Sequence, residues 1–239
     1  MTITAEKTVR ELALEIPNAT RVFEKLGIDY CCGGGKSLEE ACTAAHLSTD
    51  HVLDALAGAA QPTVQAQHDW PSELLADLVD HITQTHHKYT REEIARLQPL
   101  LDKVCSVHGK NHAELLGIRE TFRGLSQELT MHMMKEEMML FPYIVRMEEA
   151  VLQKEPVLPP PFGSVQNPVR MMMGEHDSAG EALRSMREAS HGYAAPDDGC
   201  FSYRTLYQAL GAFEADLHQH IHLENNILFP RAVEMEESH

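Results

Sequence analysis

Residues 132–142 read His-Met-Met-Lys-Glu-Glu-Met-Met-Leu-Phe-Pro, and residues 220–230 read His-Ile-His-Leu-Glu-Asn-Asn-Ile-Leu-Phe-Pro. Both stretches follow one pattern, H-x-x-x-E-x-x-x-L-F-P, and the second copy begins 88 residues after the first (220 − 132). Residues i and i+4 of a helix lie on the same face, so each copy directs one imidazole and one carboxylate to the same place. If the two helices face each other, these four groups form a metal site.

The alternative is a pair of surface helices on which His132 and His220 merely lie near acidic neighbours. The repetition disfavours this interpretation, because an accidental pair would have to occur twice in the same pattern. Apolar residues also flank both copies and predict burial; they are Met133, Met134, Met138, Met139, Leu140, Ile221, Leu223, Ile227 and Leu228.

Apolar spacing predicts four long helices around the two copies. The first extends from about residue 74 to 104 with a bend at Pro99, and the others cover about 113–150, 168–190 and 202–236. A loop at 106–111, a proline-rich connector at 155–163 and a loop at 191–200 separate them, and no segment shows a strand pattern. The sequence therefore predicts an all-α four-helix bundle.

The first 60 residues predict a separate small helical domain. Capping-box pairs at Thr8 and Glu11 and at Ser37 and Glu40 mark two helix starts. We therefore divide the chain into a small helical domain with a Cys-Cys-Gly-Gly motif at 1–60, a linker at 61–71 and the bundle at 72–239.

A duplicated helical hairpin predicts the remaining ligands. If His87 and His176 are equivalent, they precede the histidines of the two copies by 45 (132 − 87) and 44 (220 − 176) residues. Apolar periodicity alone favours His86 over His87, whereas the duplication favours His87. The predicted metal ligands are His87, His132, Glu136, His176, His220 and Glu224. Glu128 and Glu175 are expected beside the ligands, and Glu137 and His222 are expected in solvent or behind the ligands.

Composition limits the function further. The chain has 20 Lys and Arg against 36 Asp and Glu, a net charge of −16, which argues against binding to nucleic acid or to an anionic membrane. No apolar run reaches the roughly 18 residues that span a bilayer, and no signal-peptide pattern is present, so we expect a cytoplasmic location. Five irregularly spaced cysteines do not form a disulfide framework. The sequence does not define an oligomeric state.

These motifs together resemble the di-iron repair-of-iron-centres (RIC) family, the YtfE, ScdA and NorA group. The resemblance covers nearly the whole chain in the same order; the matching segments are Asp29–Gly34, Asp80–Ile82 leading to His87, His132–Glu137, Leu140–Pro142, Glu175–Glu181 and Asp216–Pro230. It implies a hemerythrin-like bundle after a small helical domain. The family's iron ligands fall on the six residues named above.

The resemblance also implies a function. It predicts two non-haem iron ions with an oxo or hydroxo bridge, in which Glu136 and Glu224 bridge the two ions and two histidines bind each ion. It also predicts a protein of the nitrosative and oxidative stress response that helps repair damaged iron–sulfur proteins. Alternatives are a protein that binds or reduces nitric oxide, and a hemerythrin-like carrier or sensor of dioxygen, although five histidines are expected in oxygen carriers.

The adjacent cysteines form a second candidate site. Cys31 and Cys32 lie in a glycine-rich loop before a helix, where we expect exposed thiols acidified by the helix dipole. They would supply thiolates for transfer or redox chemistry, and the alternative is a packed pair. Cys42, Cys105 and Cys200 are predicted to be structural.

Overall fold

The computed structural model describes residues 3–59 and 69–238, and all regular elements in these ranges are helices. The N-terminal module contains four short helices, α1 (Val9–Glu15), α2 (Ala19–Leu26), α3 (Leu38–Ala44) and α4 (Thr49–Ala59). Four long helices follow, α5 (75–108), α6 (114–153), α7 (Gln166–Ala189) and α8 (201–237). The predicted all-α class and the four bundle helices are confirmed.

Local capping explains where the short helices begin. The Thr8 and Ser37 side chains accept hydrogen bonds from the backbone amides of Glu11 and Glu40. Each glutamate side chain in turn accepts a hydrogen bond from the backbone amide of its cap residue, as in a capping box. Gly27 caps the end of helix α2 in the left-handed conformation, with a φ of 68°, which glycine adopts without steric cost. The module has its own apolar core, which includes Leu12, Phe23, Leu38 and Leu56.

The bundle contains two apolar clusters with a polar layer between them. On α5, residues 75–82 belong to one cluster and residues 97–105 to the other, and the histidines at 86 and 87 lie between them. The other three helices show the same arrangement, with buried polar residues at 132–136, 176 and 220–226 between two apolar segments. The fold therefore places a buried polar site in the middle of the bundle.

Three of the long helices change locally from α to π geometry at this polar layer. The π segments are Ile82–His87 in α5, Glu136–Leu140 in α6 and Glu224–Leu228 in α8. Pro142 and Pro230 follow the second and third segments closely, and a proline ring clashes with the carbonyl four residues earlier in a regular helix. The wider turn relieves this clash and so accommodates the proline that ends both copies. No proline follows the first segment so closely.

Two carboxylates cap the beginnings of helices α5 and α7, of which Glu148 is buried and Glu236 is half-buried. Glu148 on α6 accepts hydrogen bonds from the amides of Leu75 and Ala76 at 2.7 and 2.8 Å. Glu236 on α8 accepts from the amide of Val165 at 2.9 Å, just before α7. These glutamates are 88 residues apart (236 − 148), the same offset as the two histidine copies. The duplication therefore extends to the way in which each hairpin is capped.

The remaining sequence-based predictions differ in detail. Helix α5 continues to His108 rather than ending before Ser106, and it includes Pro99 without a break. The predicted linker at 61–71 lies largely outside the described residues, which resume at position 69. No helix in the described ranges is both long and apolar enough to cross a membrane.

Candidate metal centre

The six predicted ligands converge in the polar layer of the bundle. Their donor atoms form two groups, each within 4.8 Å; the first contains His87, Glu136, His220 and Glu224, and the second contains His132, Glu136, His176 and Glu224. Both groups contain the same two carboxylates and two different histidines. We call the first group position 1 and the second position 2.

Short distances between like atoms characterise both positions. The Nε2 atoms of His87 and His220 are 3.1 Å apart at position 1, and those of His132 and His176 are 3.0 Å apart at position 2. Glu136 lies 3.2 Å from His132 Nε2 and 3.4 Å from His87 Nε2, so one carboxylate contacts both positions. Glu224 likewise lies 3.0 Å from His220 and 3.1 Å from His176.

The donor set fits a cation better than a hydrogen-bond network. Both oxygens of Glu136 and Oε2 of Glu224 are buried without a hydrogen-bond partner, although imidazole nitrogens lie nearby. The two carboxylates are fully buried, and an uncompensated buried charge is costly. Imidazole and carboxylate ligands together suit iron, manganese or zinc. Metal ions at both positions would satisfy these atoms and balance their charge.

The pKa values show how strongly this pocket attracts positive charge. Burial lowers the pKa of His87, but its interactions with the nearby carboxylates of Glu136 and Glu224 outweigh burial and raise the pKa to about 10. Burial also opposes protonation of His132, but the charge of Glu136 outweighs burial and raises the pKa of His132 to about 9. Burial dominates at His220 and lowers its pKa. Without metal, protons on His87 and His132 therefore take the place of cations.

A second set of residues orients three of the four imidazoles through Nδ1. Glu137 contacts His87 Nδ1 at 2.7 Å, Glu175 contacts His132 Nδ1 at 2.7 Å, and Asn225 contacts His176 Nδ1 at 2.8 Å. An acceptor at Nδ1 keeps the proton there and leaves Nε2 free to bind metal. His220 Nδ1 has no hydrogen-bond partner.

The structure brings His87, and not His86, into a group of candidate ligands. His87 is fully buried and belongs to position 1, whereas His86 contacts Asp216 at 3.1 Å through Nδ1 and stacks on the His220 ring. The π segment rotates this turn of α5, so simple helical periodicity pointed to the wrong residue. Glu175 lies where it was expected.

Other expectations need correction. Glu128 is exposed and in neither group, because Leu129 and not Glu128 occupies the inward position one turn before His132. Glu137 lies behind a ligand, His87, which is one of the two positions expected for it. Asn225, which contacts His176, was not predicted; its position directly after Glu224 was the available signal. Met134, Met138 and Met139 are exposed rather than buried.

The predicted exposed, acidic cysteine pair is also incorrect in part. Cys31 is buried, and its pKa is raised well above the usual value, first by its contact with the Cys32 thiol and then by burial. Cys32 is half-buried and lies 3.7 Å from the carbonyl oxygen of His176. The loop is covered because it packs against the bundle. Cys42 and Cys105 are buried, but Cys200 is exposed.

Comparisons with known proteins agree with this arrangement. Residues 78–232 match the model of the hemerythrin HHE cation binding domain, and residues 5–60 match a domain of unknown function, DUF542 or ScdA_N. The bundle is therefore a hemerythrin-like domain, and the His and Glu cluster lies within the matched residues.

Full-length relatives match the whole chain. A probable iron-sulfur cluster repair protein of Haemophilus influenzae is 34% identical over 230 residues, which is 96% of this chain and 97% of the relative. The iron-sulfur cluster repair protein YtfE of Pectobacterium carotovorum is 36% identical over 95% of this chain and 97% of its own length. YtfE of Escherichia coli is 35% identical, with the same coverage of both chains. This chain belongs to the YtfE family of iron-sulfur cluster repair proteins, with a hemerythrin-like domain.

Proposed function

We propose that this protein helps repair damaged iron–sulfur clusters and that it does so with two non-haem iron ions bound in the bundle. The observation that carries the proposal is that two groups of four ligands share Glu136 and Glu224. Shared carboxylates are the arrangement that holds two ions close together in a helical bundle. The names of the relatives support the same role.

In this proposal His87 and His220 hold the ion at position 1, and His132 and His176 hold the ion at position 2. Glu136 and Glu224 belong to both groups and would supply ligands to both ions. Bound iron would supply redox chemistry and a coordination position for a small ligand such as nitric oxide or dioxygen. The chain contributes ligands in fixed orientation, because Glu137 and Glu175 hold the Nδ1 protons of His87 and His132.

The apolar clusters on both sides of the polar layer exclude water from the ligands. Leu129 and Ile221 belong to one cluster, and Leu140 and Phe229 belong to the other. In such surroundings an ion is held by the protein's oxygen and nitrogen atoms and not by solvent, and its charge interacts strongly with the carboxylates. The protein can therefore keep iron in a defined environment until a client takes it.

The cysteine loop marks the side from which iron would leave for a damaged cluster. Cys31 and Cys32 line a cleft of about 400 Å³ that also contains Asp29, Glu214 and His218. Asp29, Cys31 and Cys32 offer donor atoms within 4.8 Å of one another. We propose that these residues hand iron from position 2 to the client protein. The cytoplasmic location expected from the sequence remains a prediction.

Metal analysis combined with a repair assay tests this proposal. The purified protein is expected to bind two iron ions per chain, and the iron-loaded protein is expected to restore activity to an enzyme with a damaged cluster. Glu224→Gln removes a ligand of both positions and should abolish pairwise binding and repair. Glu128→Gln, on the exposed side of α6, should change neither. Repair that proceeds equally well with Glu224→Gln would contradict the proposal.

A further inference from the structure

The duplicated hairpins are similar around the ligands, but they differ at the residue that follows each shared glutamate. Glu137 follows Glu136 in the first copy, and Asn225 follows Glu224 in the second, 88 residues later (225 − 137). Each contacts Nδ1 of the histidine from the first helix of its own hairpin, Glu137 at 2.7 Å and Asn225 at 2.8 Å. A carboxylate therefore orients His87, and a neutral amide orients the equivalent ligand, His176.

The amide has a second contact that a carboxylate could not make. Asn225 Nδ2 donates a hydrogen bond of 3.3 Å to the backbone carbonyl of Cys31 in the N-terminal module. The next residue repeats the contact, because Asn226 Nδ2 donates to the carbonyl of Tyr30 at 3.0 Å. Arg10 of the module in turn donates to Asn226 Oδ1 at 2.7 Å. Two consecutive amides of one π segment thus bind two consecutive carbonyls of the cysteine loop.

This geometry fixes the protonation of the ligand. A backbone carbonyl can only accept hydrogen bonds, so the Cys31 carbonyl requires the NH₂ group of Asn225 and turns its oxygen towards His176. That oxygen holds the proton at His176 Nδ1 and leaves Nε2 available for metal. If the loop leaves, the Asn225 amide is free to turn its NH₂ group towards His176, which favours the tautomer that cannot bind metal through Nε2. Glu137 has only acceptor oxygens, so His87 does not depend on the module.

We propose that Asn225 is a positioning residue that makes metal binding at position 2 depend on docking of the N-terminal module, whereas position 1 is independent of docking. This inference rests on the proposed two-metal site and adds to it which ion is exchangeable and what controls its exchange. A change that lifts the cysteine loop from the bundle lowers the affinity at position 2 alone. The same loop carries Cys31 and Cys32, so the affinity for iron falls at the position that lies beside the residues proposed to receive it.

Release of ferrous iron from the full-length, anaerobically loaded protein to a colorimetric chelator tests this inference. Two phases of equal amplitude are expected. Glu175→Gln, which affects His132, identifies the phase that belongs to position 2, and Glu137→Gln, which affects His87, identifies the phase that belongs to position 1. Circular dichroism and thermal unfolding verify that each variant is folded.

The decisive comparison uses two neighbouring glycines of the loop. A Cβ atom at Gly34 would lie 2.9 Å from Asn226 Oδ1 and 3.1 Å from the Tyr30 carbonyl oxygen, whereas one at Gly35 would meet nothing within 4 Å. Gly34→Ala therefore disturbs docking without touching a ligand, and Gly35→Ala is its matched control. We expect Gly34→Ala to weaken binding and accelerate release about 10-fold or more at position 2 only, the range found for partners of metal ligands.

A double variant separates coupling from general damage. Asn225→Asp keeps an acceptor for His176 but loses the donor to Cys31, so Gly34→Ala should add little to the release rate in that background. A binding stoichiometry below two overturns both the proposed function and this inference. Two bound ions combined with equal release from Gly34→Ala and Gly35→Ala, or with equal acceleration of both phases, overturns this inference alone.

Discussion

Replacing Glu148 by glutamine should destabilise the bundle far more than the same change at Glu149, its neighbour. The Glu148 carboxylate is 4% exposed and accepts two backbone hydrogen bonds, from Leu75 at 2.7 Å and from Ala76 at 2.8 Å. Both donors lie in the first turn of α5, where a negative charge is favourable and the preceding residue, Leu74, provides no side-chain cap.

The magnitude follows from these contacts. A glutamine side chain can accept from one amide, but it turns an NH₂ group towards the other, which leaves one buried donor unsatisfied at a cost of about 1–3 kcal/mol. Losing the charge at a helix N-terminus adds about 0.5–1 kcal/mol. We therefore expect Glu148→Gln to lower the free energy of unfolding by about 1.5–4 kcal/mol. For a chain of this size, that corresponds to a Tm lower by roughly 3–16 °C.

Fluorescence of Trp70, the single tryptophan, provides the assay, because the Trp70 carbonyl is bonded to Arg231 of α8 beside the start of α5. Unfolding in urea and on heating is compared for Glu148→Gln and Glu149→Gln. Glu149 is exposed, so its replacement should change stability by less than about 0.5 kcal/mol. Equal midpoints for the two variants would refute the capping argument. Faster hydrogen exchange at the Leu75 amide should accompany the loss of stability.

Three further predictions concern the metal site and the module. Iron analysis should show loss of one ion in His87→Ala and retention of both in His86→Asn; loss of iron in His86→Asn alone would reassign the ligand. Metal binding near pH 7 should release about two protons, because the pKa values of His87 and His132 in the metal-free protein are about 10 and 9, and the apparent metal affinity should rise with pH up to that range. Calorimetry in buffers of different ionisation enthalpy measures the number of protons released. No release is expected if both imidazoles are already neutral. Burial opposes the ionisation of Glu24, but its contacts with His218 and Arg187 lower its pKa in the folded protein. The ionised carboxylate therefore stabilises the fold above pH 4.5, and this stabilisation is lost as the pH falls through the lowered pKa of the folded state. The Tm values of wild type and Glu24→Gln should converge in acid, and a Tm difference that stays constant with pH would contradict this prediction.

Much of this site was accessible from the sequence because it is duplicated. One copy of His-x-x-x-Glu is common on helix surfaces, but the offset of 88 residues between His132 and His220 tied two helices to one site. The same offset relates Glu148 to Glu236, yet neither residue stands out, because a capping carboxylate acts on a different helix from the one that carries it. Such contacts depend on tertiary packing and leave no local pattern.

The preference of periodicity for His86 has its physical origin in a π segment. Periodicity favoured His86 because it assumes a constant rotation per residue, and the segment Ile82–His87 breaks that assumption. Burial of the cysteine loop was missed for a different reason. The loop is polar and glycine-rich, as exposed loops usually are, and the amides of Asn225 and Asn226 that cover it lie almost 200 residues later.

Each π segment is equivalent to one extra residue inserted into a helix. In α6 the inward residues Leu129, His132, Glu136, Leu140 and Ile144 end with three successive steps of four, where an uninterrupted stripe would alternate three and four. The halves of the helix on either side of the ligands are therefore out of phase. If the same residues formed a regular α-helix throughout, everything after the π segment would be rotated by about 100°. Glu148 would then turn away from α5, so the wider turn beside a ligand also sets the cap of another helix.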